Sequence, residues 1–481
     1  MQAFRPGDPM TRALLLLLGL LALAPLPAAA RLAGQAENWQ PQSDVRDLAD
    51  IRRSGVLRVL VNQSRNTSGE VAGESIGVEY NRLRAFEQYL NRNARDGRTL
   101  SLKLIPRAKD QLFGALQRGE GDLVVPGELM VVRNERGVSA STAVIDKVPL
   151  VLVARAGNRR YQRVDQLAGR TVVLPAGSAA GEALGKVNQE LARRKQKPIL
   201  IEWVDPSLAV EDVLEMVQAG IYPLTVVERP IAERWAKVLP KLRVDRNIAL
   251  GDEGQVAWFA SHDAPMLRAS VDRFLQGYRA PANGDATFQR VYRRLYQVHD
   301  PLARSERQRL EKVRPVLQRY ADQHEFDWLS LAALAFKEST LNPAARGASG
   351  AVGLMQITPA AARTVGVDNV QSLDNNVQAS AKYLAMLRRQ YFNSGRLDER
   401  ERMAFVLAAY NLGPQRVQGL RAEAKRRGLN PNQWFFQVER VAAEQVGMGV
   451  VSYVNAVNKY FLAYQRERER LEPRRTALSA N

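Results

Sequence analysis

The sequence predicts a multidomain protein, an α/β part followed by a mainly α-helical part. Between about Leu48 and Arg279, short β-branched runs alternate with amphipathic stretches, the rhythm of α/β layers on largely parallel sheets. Residues 280–285, Ala-Pro-Ala-Asn-Gly-Asp, interrupt that rhythm with turn and linker chemistry. Beyond them strand signals stop, and helical patterns run almost to the end. A chain of 481 residues has room for two or three domains, each burying its own core.

From the start, Arg12, an apolar run from Ala13 to Ala24 and a small-residue end at Ala28-Ala29-Ala30 describe a secretory signal peptide over residues 1–30. The run is shorter than the roughly 20 apolar residues a transmembrane helix needs, so cleavage after Ala30 and export are expected. Residues 31–47 read as a polar leader. In the α/β domain, residues 48–280, strands are expected at 56–62, 101–105, 122–126, 149–154, 170–175, 199–204, 222–228 and 255–260. Helices are expected between them at 78–91, 109–119, 179–193 and 209–219. A linker, 281–303, leads to the helical domain, 304–468. The tail, 469–481, continues an Arg- and Glu-rich stretch that predicts a solvated helix end.

The chain is basic, with 69 Lys+Arg against 50 Asp+Glu. That balance favours acidic partners, but export removes nucleic acid and leaves an acidic polymer or an anionic membrane surface. The absence of cysteine excludes disulfides, thiolate metal sites, a cysteine nucleophile and a lipid-modified cysteine. His262, His299 and His324 are scattered, and His324-Glu325 lacks the second histidine of a zinc protease helix. Neither a metal centre nor a serine triad is therefore expected, and no cofactor. Residues 181–187, Gly-Glu-Ala-Leu-Gly-Lys-Val, imitate a phosphate loop but are one residue short between glycines and lack Ser or Thr after the lysine.

The chemistry is expected at residues 327–359. Asp327 suits a helix N-cap, residues 328–339 read as helix, and Asn342-Pro343 ends it. Leu331, Leu334, Ala335 and Glu338 fall at i, i+3, i+4 and i+7, so Glu338 shares a stripe with core leucines. Lys337 points about 100° away. A carboxyl group in an apolar wall can serve as a general acid near neutral pH. The competing reading is a glutamate at a frayed helix end, swung to solvent. The loop favours the acid: Gly347, Gly350 and Gly353 let the backbone pass close to a ligand, and Gln356 offers donor and acceptor. Such a wall suits a polyhydroxylated substrate such as a sugar.

Residues 338–345, Glu-Ser-Thr-Leu-Asn-Pro-Ala-Ala, and 350–359, Gly-Ala-Val-Gly-Leu-Met-Gln-Ile-Thr-Pro, resemble the first two motifs of the soluble lytic transglycosylase family. Ala409-Tyr410-Asn411-Leu412-Gly413-Pro414 is similar to its third motif and Tyr453-Val454 to its fourth. The resemblance implies a lysozyme-like helical domain that cleaves the β-1,4 bond between N-acetylmuramic acid and N-acetylglucosamine in peptidoglycan. It implies Glu338 as the acid and Ser339, Met355, Gln356, Tyr410, Asn411 and Tyr453 as substrate contacts, Tyr453 also positioning Glu338. Gly347 stands where many members carry serine, and Gly449 where glutamate is frequent. A hydrolysing glycosidase flanks its bond with two carboxyl groups, whereas Asp368 and Asp374, the nearest later ones, read as surface-turn residues. One group that protonates the leaving oxygen can return as base and take the proton of the sugar's own 6-hydroxyl. That closes a 1,6-anhydro ring without water, which is the family's reaction.

Residues 51–59, 121–126 and 167–178 resemble segments of the periplasmic amino-acid-binding proteins. This resemblance implies two α/β lobes around a cleft for a small polar ligand, an amino acid or a muropeptide. Gly177 and Ser178, between a strand and a helix start, offer amides to an anion, and either Arg133 or Arg136 offers a guanidinium to a carboxylate. Glu228 is the next acid after the position where the relatives often carry one. A purely structural or docking role is the alternative. The pairing of the two domains resembles the membrane-bound lytic murein transglycosylase F group, which implies a periplasmic protein held peripherally at the outer membrane. A non-enzymatic reading also stands, a solute sensor or cell-wall-binding scaffold with a degenerate lysozyme-like domain, which Gly347 and Gly449 would favour.

Overall fold

The computed structural model describes residues 45–472 except 63, 65–69, 72–73, 76, 93–97, 133–136, 281–285, 287, 291, 293–299 and 348–349. The expected signal peptide, most of the expected leader, Arg133 and Arg136 therefore lie outside the described residues.

The first lobe begins with α1 (Leu48–Ser54), capped by the Asp47 side chain and closed by Gly55 at φ 69°. It continues through β1 (Val56–Asn62), the small hairpin β2 (Glu70–Val71) and β3 (Glu74–Ser75), α2 (Val78–Arg92), β4 (Ser101–Arg107), α3 (Leu112–Gln117), β5 (Leu123–Val125) and β6 (Val138–Ala140). The second lobe holds β7 (Ile145–Arg155), β8 (Thr171–Leu174), α4 (Ala180–Arg193), β9 (Leu200–Trp203), α5 (Val210–Ala219), β10 (Leu224–Glu228), α6 (Arg229–Ala236) and β11 (Leu242–Val256). The chain then returns to the first lobe as β12 (Phe259–Ser261) and α7 (Pro265–Gly277).

The first lobe's sheet runs β4-β1-β5-β12-β6, with β4, β1 and β5 parallel and β12 antiparallel to both neighbours. Leu57, Val59, Leu60 and Val61 of β1 are all buried, as a strand covered on both faces requires. In the second lobe β8 and β9 pair in parallel, but β10-β7-β11 is antiparallel, so the expectation of largely parallel sheets fails there. β11 also escaped the reading. Its polar residues, Asp245 and Arg246 among them, hide any alternation, and its register against β7 shifts at three points.

Phe288 and Tyr292, in the expected linker, are buried edge-on against Trp235 of α6 at 5.2 and 4.6 Å. The helical half follows as α8 (Arg304–His324), α9 (Trp328–Ser339), α10 (Pro359–Arg363), α11 (Leu373–Tyr391), α12 (Glu399–Leu412), α13 (Pro414–Arg426), a wide turn at Trp434–Val438, α14 (Glu439–Gln445), α15 (Met448–Arg466) and α16 (Arg468–Leu471). α9 is its axis: Leu331 to Phe336 are all buried, each large side chain contributing about 1.5–3 kcal/mol. The chain end is not a solvated helix as far as residue 472. Leu471 is buried, Trp328 donates to Glu472, and Arg468 pairs with Asp327, so this segment seals the start of α9. No described helix is long and apolar enough to cross a membrane.

Polar contacts join the helical half to the second lobe. Arg400 donates to both oxygens of Asp205 at 2.7 and 3.0 Å. Asn458 donates to Ser207 at 2.9 Å, and Lys459 reaches Asp212 at 3.1 Å and Glu215 at 2.5 Å. Arg466 pairs with Glu202 and lies 5.0 Å from the Tyr222 ring centre.

Candidate active site

α9 starts where Asp327 accepts from the Leu329 amide at 3.0 Å. It ends because Thr340 and Leu341 turn left-handed, φ 53° and 59°, two residues before the proline expected to end it. Glu338 lies in this last turn and is half-buried. Desolvation pushes its carboxyl group above the usual range, against the opposing pull of a hydrogen bond from Tyr453 and of the Lys337 ammonium. The buried Tyr453, on α15, donates its hydroxyl to Glu338 Oε1. Lys337 is exposed, with its ammonium 5.8 Å from the Tyr453 ring centre.

The loop that follows α9 is held by its own side chains. Ser339 Oγ donates to the Leu354 carbonyl at 2.7 Å and accepts from the Asn342 amide at 3.1 Å. Gln356, at φ 48°, donates from Nε2 to the carbonyls of Gly353 at 2.9 Å and Ala345 at 3.2 Å. Tyr410, on α12, donates to the Met355 carbonyl at 2.9 Å, and burial pushes its phenol well above its ordinary value. Met355 was expected in the wall facing substrate, but its side chain is fully buried in the helical core and only its backbone serves the loop. Asn411 is exposed at the end of α12, next to Tyr410.

Asn376 of α11 is a residue the reading missed. It is fully buried; its Oδ1 accepts from the Met355 amide at 2.9 Å, and its Nδ2 donates to the carbonyls of Val352 at 2.9 Å and Val370 at 3.1 Å. This explains Gly353: at φ 77°, a Cβ there would lie 2.3 Å from Asn376 Nδ2. Gly347, the departure from serine, is crowded too, since a Cβ would meet Gln356 Oε1 at 2.2 Å. Gly449 faces open space and is exposed.

The described residues expected to hold a ligand, Gly177, Ser178 and Glu228, belong to the α/β domain and not to the helical half. The Gly177 backbone, φ 72°, presses against Asp110 of the first lobe, and the buried Ser178 accepts from the Ala180 amide at 3.3 Å. Glu228, at the end of β10, is buried and accepts from the Leu129 amide at 2.9 Å. A depression of about 720 Å³ between α4 and β11 contains none of these residues.

A desolvated carboxyl group hydrogen-bonded by a buried tyrosine, beside a glycine-rich loop on a helical scaffold, is an arrangement suited to giving and taking a proton. Residues 315–433, within the helical half, match the model of the transglycosylase SLT domain, a stretch that includes Glu338, Gln356 and Tyr410 and stops before Tyr453. Over most of its length the chain is similar to proteins named membrane-bound lytic murein transglycosylase F. That of Desulfosudis oleivorans is 27% identical over 415 residues, 83% of this chain and 85% of that protein. That of Ectopseudomonas mendocina is 29% identical over 427 residues, 86% and 81% respectively. Among solved structures, an amino acid ABC transporter substrate-binding protein from Streptococcus pneumoniae, bound to L-arginine, matches 52% of this chain and 98% of its own with a TM-score of 0.42 and 16% identity.

Proposed function

We propose that the chain is an exported peptidoglycan lytic transglycosylase that cleaves the bond from N-acetylmuramic acid to N-acetylglucosamine without water. The observation that carries this reading is Glu338, half-buried, with its carboxyl group raised by desolvation and hydrogen-bonded by Tyr453. The other carboxyl groups considered for a hydrolytic pair are engaged or exposed: Asp374 accepts from Arg319 at 2.8 Å and from Tyr320 at 2.5 Å, and Asp368 is exposed. Glu338 gives its proton to the glycosidic oxygen as the bond from the muramic C1 breaks. The carboxylate left behind takes the proton of the muramic 6-hydroxyl, and that oxygen closes on C1. The proton lent is recovered, and no water is consumed. The Tyr453 hydrogen bond favours the carboxylate, the state between the two transfers. Ser339, Gln356, Tyr410 and Asn376 hold the loop, and Asn411 is exposed toward solvent and free to meet sugar hydroxyls.

The glycan strand is the macromolecular partner, and the net charge of +19 suits its anionic stem peptides. The two-lobed domain takes a small ligand, an amino acid or a muropeptide, and the protein works in the periplasm, attached peripherally to a membrane. The test is digestion of purified sacculi followed by mass spectrometry of the products. The wild type should release 1,6-anhydromuropeptides and E338Q roughly 10²–10⁴-fold less. Water-added reducing ends would establish a hydrolase instead, and intact glycan from both proteins the scaffold reading.

A further inference from the structure

The space between the two lobes already holds an ammonium group. Lys109 follows β4 in the first lobe and is buried; its Nζ lies 2.8 Å from Glu128 Oε2 and 3.8 Å from Glu228 Oε1. Asn62 donates to the other oxygen of Glu128 at 2.9 Å. Glu128 belongs to the first lobe and Glu228 to the second, so one cation is shared across the cleft. Two buried carboxylates facing each other repel unless a cation lies between them. Burial alone would push the Lys109 ammonium down, yet Glu128 and Glu228 hold it above its ordinary value.

Among the described residues the two lobes meet closely around this group. A cavity of about 20 Å³ remains among Asn62, Lys109, Glu128, Ala176, Val210 and Phe436, room for one water and not for an amino acid. Ser64 donates to Glu211 across the lobes at 2.8 Å, and a Cβ on Gly177 would lie 2.8 Å from the Asp110 amide nitrogen. Phe436 enters from the helical half on a left-handed backbone, φ 63°, its amide bonded to Glu439 at 2.6 Å.

We propose that this cleft is a primary-ammonium site occupied by the chain's own Lys109 as a tethered ligand, so that an ammonium-bearing solute binds only by exchanging with that side chain. A tethered group acts at a high effective concentration, about millimolar or above, which a dilute free amine does not match. The inference rests on the two-lobed domain and is independent of the catalytic reading.

Thermal unfolding of the full-length wild type and of K109A tests it, in equal concentrations of n-propylammonium or tetramethylammonium chloride. n-Propylammonium replaces the atoms that K109A removes beyond Cβ. K109A should melt roughly 10 °C lower, and n-propylammonium should restore at least half of that loss. Tetramethylammonium, which has no N–H donor, should restore nothing, and the wild type should respond to neither. A K109A that melts with the wild type, responds equally to both amines, or gains no more than the wild type overturns the proposal. Where K109A yields no folded protein, amide exchange of E228Q reads the same cross-lobe link. Faster exchange in residues 175–180 and 206–212 supports the proposal, and wild-type exchange there overturns it.

Discussion

Replacing Asn376 with alanine should loosen the loop beside Glu338, by an amount the contacts allow to be estimated. The change removes three hydrogen bonds of 2.9, 2.9 and 3.1 Å from a fully buried side chain. Each contributes about 1 kcal/mol net, and a buried amide left unpaired, here that of Met355, costs about 1–3 kcal/mol more. A total of about 4–6 kcal/mol follows, which lowers the melting temperature of a domain of 150–250 residues by roughly 10–20 °C. Thermal unfolding with the sacculus digest measures both consequences: the melting temperature drops, and release of anhydro products falls with loop order. N376D sharpens the test. It keeps the acceptor for the Met355 amide but turns a carboxylate oxygen toward the carbonyls of Val352 and Val370, so it should be at least as damaging. Both variants within about 0.5 kcal/mol of the wild type, with unchanged activity, would refute the account of the loop.

Because desolvation raises the folded-state carboxyl pKa of Glu338, its contribution to stability is fully present below the unfolded value and is lost as pH rises through the folded one. E338Q should therefore be more stable than the wild type above that window and lose the advantage at lower pH, read from melting temperatures across a pH series. Y453F removes the hydroxyl that favours the carboxylate; kcat should fall roughly 10-fold or more, and the basic limb of kcat/KM should move to higher pH. G353A places a Cβ 2.3 Å from an Asn376 nitrogen at φ 77°, and should cost about 2 kcal/mol or more in urea unfolding, since Asn376 cannot swing away without breaking its bonds.

Much of the site could be read from the chain because its signals are local. The Asp327 cap and the apolar run after it give α9 its bounds, Trp328–Ser339. Glu338 owes its place less to a stripe than to the helix end, since α9 is buried on every side up to Phe336 and the carboxyl group stands where the helix leaves the core. Asn376 was illegible for a physical reason. It stands in a polar stretch like a surface asparagine, and its partners are backbone groups up to 24 residues away. Met355 erred in the other sense, because a motif position tells nothing of which atoms face the substrate. Lys109, Glu128 and Glu228 come from three segments, and only folding brings their charges together.

One helix, α15, has two employments. Near its start Tyr453 reaches Glu338, and further along Asn458, Lys459 and Arg466 grip the second lobe. From Tyr453 to Lys459 is about 9 Å along the axis, within one continuous hydrogen-bonded rod. Neither half can melt without stripping partners from that rod, so calorimetry of the intact protein should record one endotherm. By that reckoning the unlike halves should melt as a single body.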